Sequence, residues 1–552
     1  MKHLILLVTV FVLCNTCFAQ CGNTQRLIFP FSSSIAFVIE SDQDHNVILA
    51  SYSSGGNSRI RKSSDYRVSN LSRLVNGGIV KDMSVDSSGN IYVCGTFLAP
   101  LSFDDFPGVF QPGPTITSIF VAKLDTSLNT IWLKTSSGNA GSSANGSDLI
   151  SSISVDNNGN CFISGVYQAS FIFQGNDYSA PSSTWKSYIA KLNTSNGSIQ
   201  WFHAQYCESS EPIPLVIADN NGGAYQSTFF YGDYYDLAGT HFQSTHYNSM
   251  VFHFNSIGTY DWGLQLKGEN FVRGLQLDAQ NALRLCGQMG DTLKVQAQSV
   301  FNIGYKGLFV GKIDLNGNAS GFDRIASSAI NADIYMGVNS FRYMPDNTYY
   351  ITGQCILETN FNGLINPLSP QRETFVTKFS HLNNAIWTQG YGETPNTIFS
   401  GGICTIDDCS VISYGSLSSS NQLIFDDSTY QFSLGSNSDF LVEYNAFNGS
   451  YMEGPIADTN GGWDPFGQNW TGLNDLELAD IQIFPNPNNG EFAISLPKDL
   501  DAEVSILNTF SQTVWQSNGK NSQNIQTNLT PGTYFVVIKY NEKVAIKRLL
   551  II

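Results

Sequence analysis

The chain has 552 residues, of which 42% are hydrophobic and only 13% charged, with a formal net charge of -17. That length allows several domains, or one large all-β domain plus a small one, and the acidic balance repels phosphate backbones, which excludes nucleic acid as a partner. Glycine (49), Phe (37) and Tyr (25) are plentiful, a mix that favours short strands and tight turns over helices.

The chain opens with the short positive start Met1-Lys2-His3 and the apolar run Leu4 to Leu13, too short to span a bilayer. Cys17-Phe18-Ala19 offers small residues at both recognition positions of a signal peptidase. The reading is a secretory signal peptide over residues 1–19, cut between Ala19 and Gln20. Gln20 before Cys21 is wrong for a lipobox. No later run reaches about eighteen apolar residues, so no transmembrane helix is expected. Of the cysteines that remain, only Cys404 and Cys409 are close enough in sequence to suggest a bridge, and no CxxC pair supports a zinc site.

From there to about residue 452 the sequence repeats. Val85-Asp86-Ser-Ser-Gly-Asn-Ile-Tyr-Val-Cys-Gly95 returns as Val155-Asp156-Asn-Asn-Gly-Asn-Cys-Phe-Ile-Ser-Gly165, with looser copies at Ser41, Ala218, Leu277, Tyr343 and Ile406. Alternation leads in, Asp opens a turn, Gly or Asn takes the left-handed position, and a second strand leads out to a close-packing glycine. Each unit has a second half: Phe120-Val-Ala-Lys-Leu-Asp125 matches Tyr188-Ile-Ala-Lys-Leu-Asn193, Val251-Phe-His-Phe-Asn255, Phe309-Val-Gly-Lys-Ile-Asp314, Phe375-Val-Thr-Lys-Phe-Ser380 and Phe440-Leu-Val-Glu-Tyr-Asn445. An aromatic follows each: Trp132, Trp201, Trp262, Phe322, Trp387, Tyr451. Two hairpins per unit and seven units predict an all-β, seven-bladed β-propeller over residues 20–454, its aromatics packed between blades. Blade one is short, with Ile60-Arg-Lys62 as its second half, and calls for strand exchange with the far end.

This pattern resembles the bacterial β-propeller repeats often labelled SBBP, on the D-x-x-G-N-x-[YF]-x-x-G hairpin and the [FY]-[VI]-x-K-[LI]-[DN] strand. That family's aromatic–acidic pair is matched by Phe103-Asp104, Tyr235-Asp236 and Phe425-Asp426. The resemblance implies a fold and hardly any activity. Leu192 to Trp201 also looks like the tryptophan-docking turn of quinoprotein propellers, but the adjacent cysteine pair often found there is missing, and the tryptophans are read as packing.

After Tyr451 alternation stops, and residues 455–478 read as a linker. A compact β unit follows over 479–552, with Phe492 to Leu496, Ala502 to Ile506, Thr513 to Trp515, Thr533 to Ile538 and Val544 to Ile551 as strands of a small Ig-like sandwich. It resembles the type A C-terminal sorting domain of the type IX secretion system. The matching residues come in family order: Phe484, Pro485, Asn486 and Pro487 with Gly490, then Val504 to Asn508, then Gly532 and Tyr534, then Lys547 and Arg548. Tyr is usual where Phe484 stands. The resemblance implies export across the outer membrane of a Gram-negative bacterium, with the secretion machinery as partner and the mature protein secreted or held on the cell surface.

Catalytic patterns are missing. The histidines form no HExxH, and no GxSxG elbow or P-loop occurs. Acidic pairs (Asp104-Asp105, Asp407-Asp408, Asp426-Asp427) read as solvated turns. The Asp-x-x-Gly-Asn turns leave calcium open, without the alternating ligands of an EF-hand loop; no other cofactor or metal, and no catalytic residue, is expected. His253 stands where the repeat has lysine. Phe229-Phe-Tyr-Gly-Asp-Tyr-Tyr-Asp236 is the densest aromatic cluster, which makes Tyr231, Asp233 and Tyr234 the candidate binding surface. The expectation is a non-catalytic module for a glycan or protein ligand. The alternative is a secreted hydrolase or lyase on polysaccharide or peptide, with its site at the propeller mouth.

Overall fold

The structure is a computed structural model describing residues 28–446 and 482–551, apart from short internal stretches. Ala19, Gln20, Cys409, Tyr451, the stretch 455–478, and Pro485, Asn486 and Pro487 lie outside the described residues, as do Asp407-Asp408 and Asp426-Asp427. Among the described residues every regular element is a strand, and no helix is long and apolar enough to cross a membrane. The chain forms two compact units, Arg26–Gln468 and one containing Asn469–Ile552.

The larger unit is a β-propeller of antiparallel four-strand meanders. The first comprises Ser34–Ser41, Val47–Ser53, Ser58–Ser63 and the start of Leu71–Val85. The rest of Leu71–Val85 opens the second, with Ile91–Phe103, Ser118–Leu124 and Thr130–Ser137. Leu149–Val155, Asn160–Gln168, Trp185–Asn193 and Ile199–Cys207 follow. Then come Leu215–Ala218, Ala224–Tyr235, His241–Phe254 and Tyr260–Leu266. The next is Asn270–Leu277, Leu283–Met289, Gly307–Ile313 and Ala319–Ser328, followed by Gly337–Tyr343, Tyr349–Ile356, Arg372–Phe379 and Ala385–Gly392. The last, Ile398–Thr405, Ser410–Leu417 and Ser438–Asn445, takes its outer strand from the other end of the unit, Ile28–Ser32.

Strand exchange therefore occurs, but it completes the last meander. The first has four strands of its own, because Leu71–Val85 is long enough to end one sheet and begin the next. The innermost strands pack in sequence, and the last returns to the first. Side chains lace this inner ring to backbone. Asp82 Oδ2 accepts from Ile153 N–H (2.8 Å), Ser84 Oγ from Val155 N–H (3.0 Å) and Ser154 Oγ from Ala218 N–H (3.0 Å). Ser41 Oγ donates to the Thr405 carbonyl (2.7 Å) where the ring closes.

The repeat motifs have local mechanical causes. In the first turn of the first five units, the Asp Oδ1 accepts from the N–H groups two and four residues on, as Asp86 does from Ser88 and Asn90 (both 2.9 Å). The Asn of the motif donates its Nδ2 to Oδ2 of the same carboxylate (2.9 Å). Asp156 repeats this with Asn158 and Asn160. The closing glycine lies where the second strand crosses a bulge of the inner strand. A Cβ on Gly95, Gly165 or Gly287 would come within 2.1 Å of the carbonyl of Ile79, Leu149 or Phe271. Gly165→Ala is therefore expected to cost about 1–3 kcal/mol of stability, read as a lower urea midpoint. An unchanged midpoint would show that the inner strand yields freely.

The aromatics after the second hairpin pack between neighbouring blades. Trp132 donates its indole N–H to the Thr194 carbonyl (3.0 Å), and Gly197 (φ 72°) lies against its ring. Trp262 does the same with Leu315 (2.9 Å) and Gly317. Two of the motif lysines reach into the next blade: Lys123 Nζ to Thr194 O (3.3 Å) and Lys191 Nζ to Gly222 O (2.7 Å). Between second and third strands, inserted hairpins fold back onto the outer strand of the preceding blade, as Ile172–Phe173 does on Ser136 and Ser137. Phe103-Asp104 and Tyr235-Asp236 belong to these straps. Asp104 and Asp105 are ion-paired with Arg73 (2.9 and 3.3 Å), and Asp105 also accepts from the Thr130 N–H. They are structural ties, not the free solvated turns expected.

In the smaller unit Gln482–Phe484, Glu491–Ser495 and Gln523–Gln526 form one sheet, and Thr513–Lys520, Asp501–Leu507, Gly532–Tyr540 and Lys543–Ile551 another. Period-two positions supply the core: Phe492 and Ile494, Val504 and Ile506, Val536 and Ile538, Leu549 and Ile551. Gln523–Gln526 escaped sequence reading because it is polar and short.

Candidate functional site

The sorting residues that are described are built into this second unit. Phe484 ends its first strand, Gly532 begins the strand carrying Tyr534, and Lys547 and Arg548 lie on the last strand. Tyr534 is buried and donates its hydroxyl to the Thr530 carbonyl (2.9 Å). Gly490 has φ 97°, and a Cβ there would meet the Thr527 carbonyl at 2.5 Å. Residues 482–552 match the family model described as "Secretion system C-terminal sorting domain". The C-terminal unit is a type A sorting domain of the type IX secretion system. It directs this chain to the cell surface or the extracellular space, with the secretion machinery as its partner.

No curated protein sequence matches this chain. Among solved structures it is similar to a quinohemoprotein alcohol dehydrogenase from Comamonas testosteroni: 10% identity and TM-score 0.36, over 78% of this chain and 77% of that one. It is also similar to a protein of unknown function from Bacteroides caccae: 10% identity and TM-score 0.31, over 63% of this chain and 94% of that one. A third similarity is to a Trypanosoma rangeli sialidase: 9% identity and TM-score 0.31, over 94% and 86%. Likeness at this level carries nothing about activity.

In the larger unit, the aromatic cluster singled out in the sequence lies on the hairpin of Ala224–Tyr235 and His241–Phe254. Tyr234 is fully buried, with its hydroxyl on Gln205 and its ring among Phe230, Phe242 and Phe252. It is core, not surface, because strand alternation turns it inward between Asp233 and Tyr235. Tyr231 and Asp233 do face outward. So do Tyr235, Tyr247 and His241, which the sequence reading did not select. The exposed tyrosines among the described residues, Tyr231 (50%), Tyr235 (44%) and Tyr247 (37%), all belong to this hairpin.

The hairpin holds these rings in place. Gly232 (φ 81°) sits at a bulge, and three residues opposite, Thr245 to Tyr247, drop out of register. Buried Asn248 fixes that bulge by donating to the His246 carbonyl (2.9 Å) and accepting from Gly268 N–H (3.0 Å). Tyr231 and Tyr247 approach to 5.6 Å between ring centroids, and Tyr247 leans on Phe271 (5.1 Å). Towards the tip, His241 stacks on Tyr235 (4.6 Å) and its Nε2 contacts Asp233 Oδ1 (2.9 Å). The tip itself is strapped to Tyr206 and Cys207 of the preceding blade, and Asp236 accepts from Tyr260 (2.9 Å).

Several other charged groups are engaged in the fold. Glu40 pairs with Arg342 (3.3 Å) between innermost strands. Buried His253 stands in for the motif lysine: its Nε2 contacts Asp219 (3.0 Å) and its Nδ1 contacts Asp261 (2.8 Å). In that blade Gly223 replaces the turn Asn, and His253 supplies the missing partner of Asp219. Burial opposes the Asp219 charge, but His253 and the turn N–H groups hold its carboxyl below the ordinary range. Asp278, followed by Ala282 in place of Asn, recruits Arg284 and Lys312 (both 3.0 Å). These oxygens accept from N–H donors of their own blades, and no group of three or more His, Cys, Asp or Glu placed to hold a metal occurs among the described residues. Cys404 is a free buried thiol, so the suggested bridge to Cys409 is not formed. Its strand directs the side chain into the core, where burial pushes its pKa up.

Proposed function

We propose that this chain is a seven-bladed propeller (residues 20–454), joined by a linker (455–478) to its sorting domain (479–552), and displayed or released as a non-catalytic binding module. The observation that carries the reading is the concentration of exposed tyrosines on one braced hairpin, Ala224–Phe254. Exposed aromatic patches on soluble proteins mark interaction sites. The binding face comprises Tyr231, Asp233 and Tyr235, with Tyr247 and His241 beside them. The engagement of Glu40 with Arg342 and of His253 with Asp219 supports binding over a hydrolase or lyase site at the mouth.

The test uses purified, fluorescently labelled full-length protein added to cells of the native host. Wild type is expected to bind saturably, and the double variant Tyr231→Ala, Tyr235→Ala to bind at least tenfold more weakly with an unchanged melting profile. In parallel, incubation with polysaccharides and peptides is expected to release no new reducing ends or termini. Undiminished binding by the variant, or turnover of any substrate, overturns the proposal.

A further inference from the structure

We infer that the hairpin Ala224–Phe254 takes an uncharged polysaccharide chain, with Tyr235 and Tyr231 as successive stacking platforms. This rests on the binding role proposed for that face and names its ligand class.

Three observations carry it. First, cross-strand pairing places Asp233 opposite Gln243 and Tyr235 opposite His241, so these four share one face. That face combines an aromatic ring with an acid, an amide and an imidazole, all able to hydrogen-bond hydroxyl groups. Sugar rings need this pairing of a flat apolar surface with donors and acceptors at its edge. Second, Tyr231 lies four strand residues from Tyr235, about 13 Å, which suits a chain of several sugar units better than a single small molecule. Gln243, Thr245 and His246 are exposed along the opposite strand.

Third, the charge is wrong for the other ligands. Residues 224–254 contain no lysine or arginine, and the chain as a whole carries -17. Cations on adjoining strands are turned to ring faces or backbone carbonyls: Lys186 over Tyr206 (5.0 Å), Arg273 over Phe229 (5.6 Å) and Phe271 (5.3 Å), and Lys191 Nζ on the Gly222 carbonyl (2.7 Å). A sulfated or uronic-acid polymer would meet Asp233 and Asp236 with no lysine or arginine on the hairpin to offset them. A protein partner is expected to seek arginine and large apolar anchors, whereas the outward side chains here are mainly tyrosine, amide and hydroxyl.

The test is affinity electrophoresis of the full chain through gels containing cellulose derivatives, xylan, glucomannan, soluble starch or dextran, beside gels containing alginate or chondroitin sulfate. Retardation by at least one neutral polymer is expected, with little by the anionic ones. Tyr235→Ala and Tyr231→Ala should each weaken retardation about tenfold, and Tyr235→Phe should retain most of it. Retardation by anionic polymers alone, or by none, overturns the inference. If the tyrosine variants still lose binding to host cells in that case, the hairpin remains the binding face and only its ligand class is wrong. If a neutral polymer binds both variants as tightly as wild type, the assignment to this hairpin fails as well.

Discussion

A chain ending before Asp480 is expected to lose export altogether. The sorting domain is a compact unit with its own core of Ile494, Val504, Ile506, Val536, Ile538 and Leu549, so truncation removes the address whole. The ring closes within the larger unit, through Ile28–Ser32 pairing with Ser438–Asn445. The truncated chain should therefore fold and accumulate inside the cells. Mass spectrometry of cell, surface and medium fractions would report it: wild type outside, truncated chain inside. Equal amounts of both outside would show that export does not depend on the tail.

The second large effect is a pH dependence centred on Asp82. Its carboxylate accepts from the N–H groups of Met83 and Ile153 (both 2.8 Å) between two innermost strands. Burial raises its pKa to about 7, the backbone N–H groups and Ser152 oppose the rise, and Glu40 adds to it. In the unfolded chain an aspartate titrates near its ordinary value of about 4. Between those values the folded protein holds a proton that the unfolded chain has lost. The stabilisation is thus complete below about pH 4 and is lost as the pH rises through 7. A shift of about 3 units corresponds to roughly 4 kcal/mol. Asp82→Asn removes this titration. The stability difference between variant and wild type, from urea midpoints, should change by about 3 kcal/mol of that in the variant's favour from pH 4.5 to 8. Parallel profiles would show that the carboxyl stays ionised throughout.

The repeat itself was legible because each of its letters answers a local need. Asp86 and Asn90 close one turn, Gly95 clears one carbonyl, and Trp132 fills one space between blades. Each would be satisfied in the same way in any blade, so the pattern recurs and can be read. The sorting tail was legible for a similar reason: Gly490 and Tyr534 serve contacts within a short stretch of chain.

Other features depend on partners far apart in sequence. Ile28–Ser32 belongs to the last sheet because ring closure pairs it with residues over 400 positions away, which alternation cannot register. Tyr234 and Tyr235 are neighbours of the same type, yet one is buried against Gln205 and the other faces solvent beside His241. The Gly232 bulge and the strap onto Tyr206 decide which is which. By itself the sequence determined the strand content, the repeat and the address, because these rest on period-two burial and turn chemistry within each unit. Only the tertiary structure decided where the ring closes, which carboxylates pair with which cations, and which aromatics face solvent. Those outcomes depend on which blades become neighbours when the chain curls into a ring.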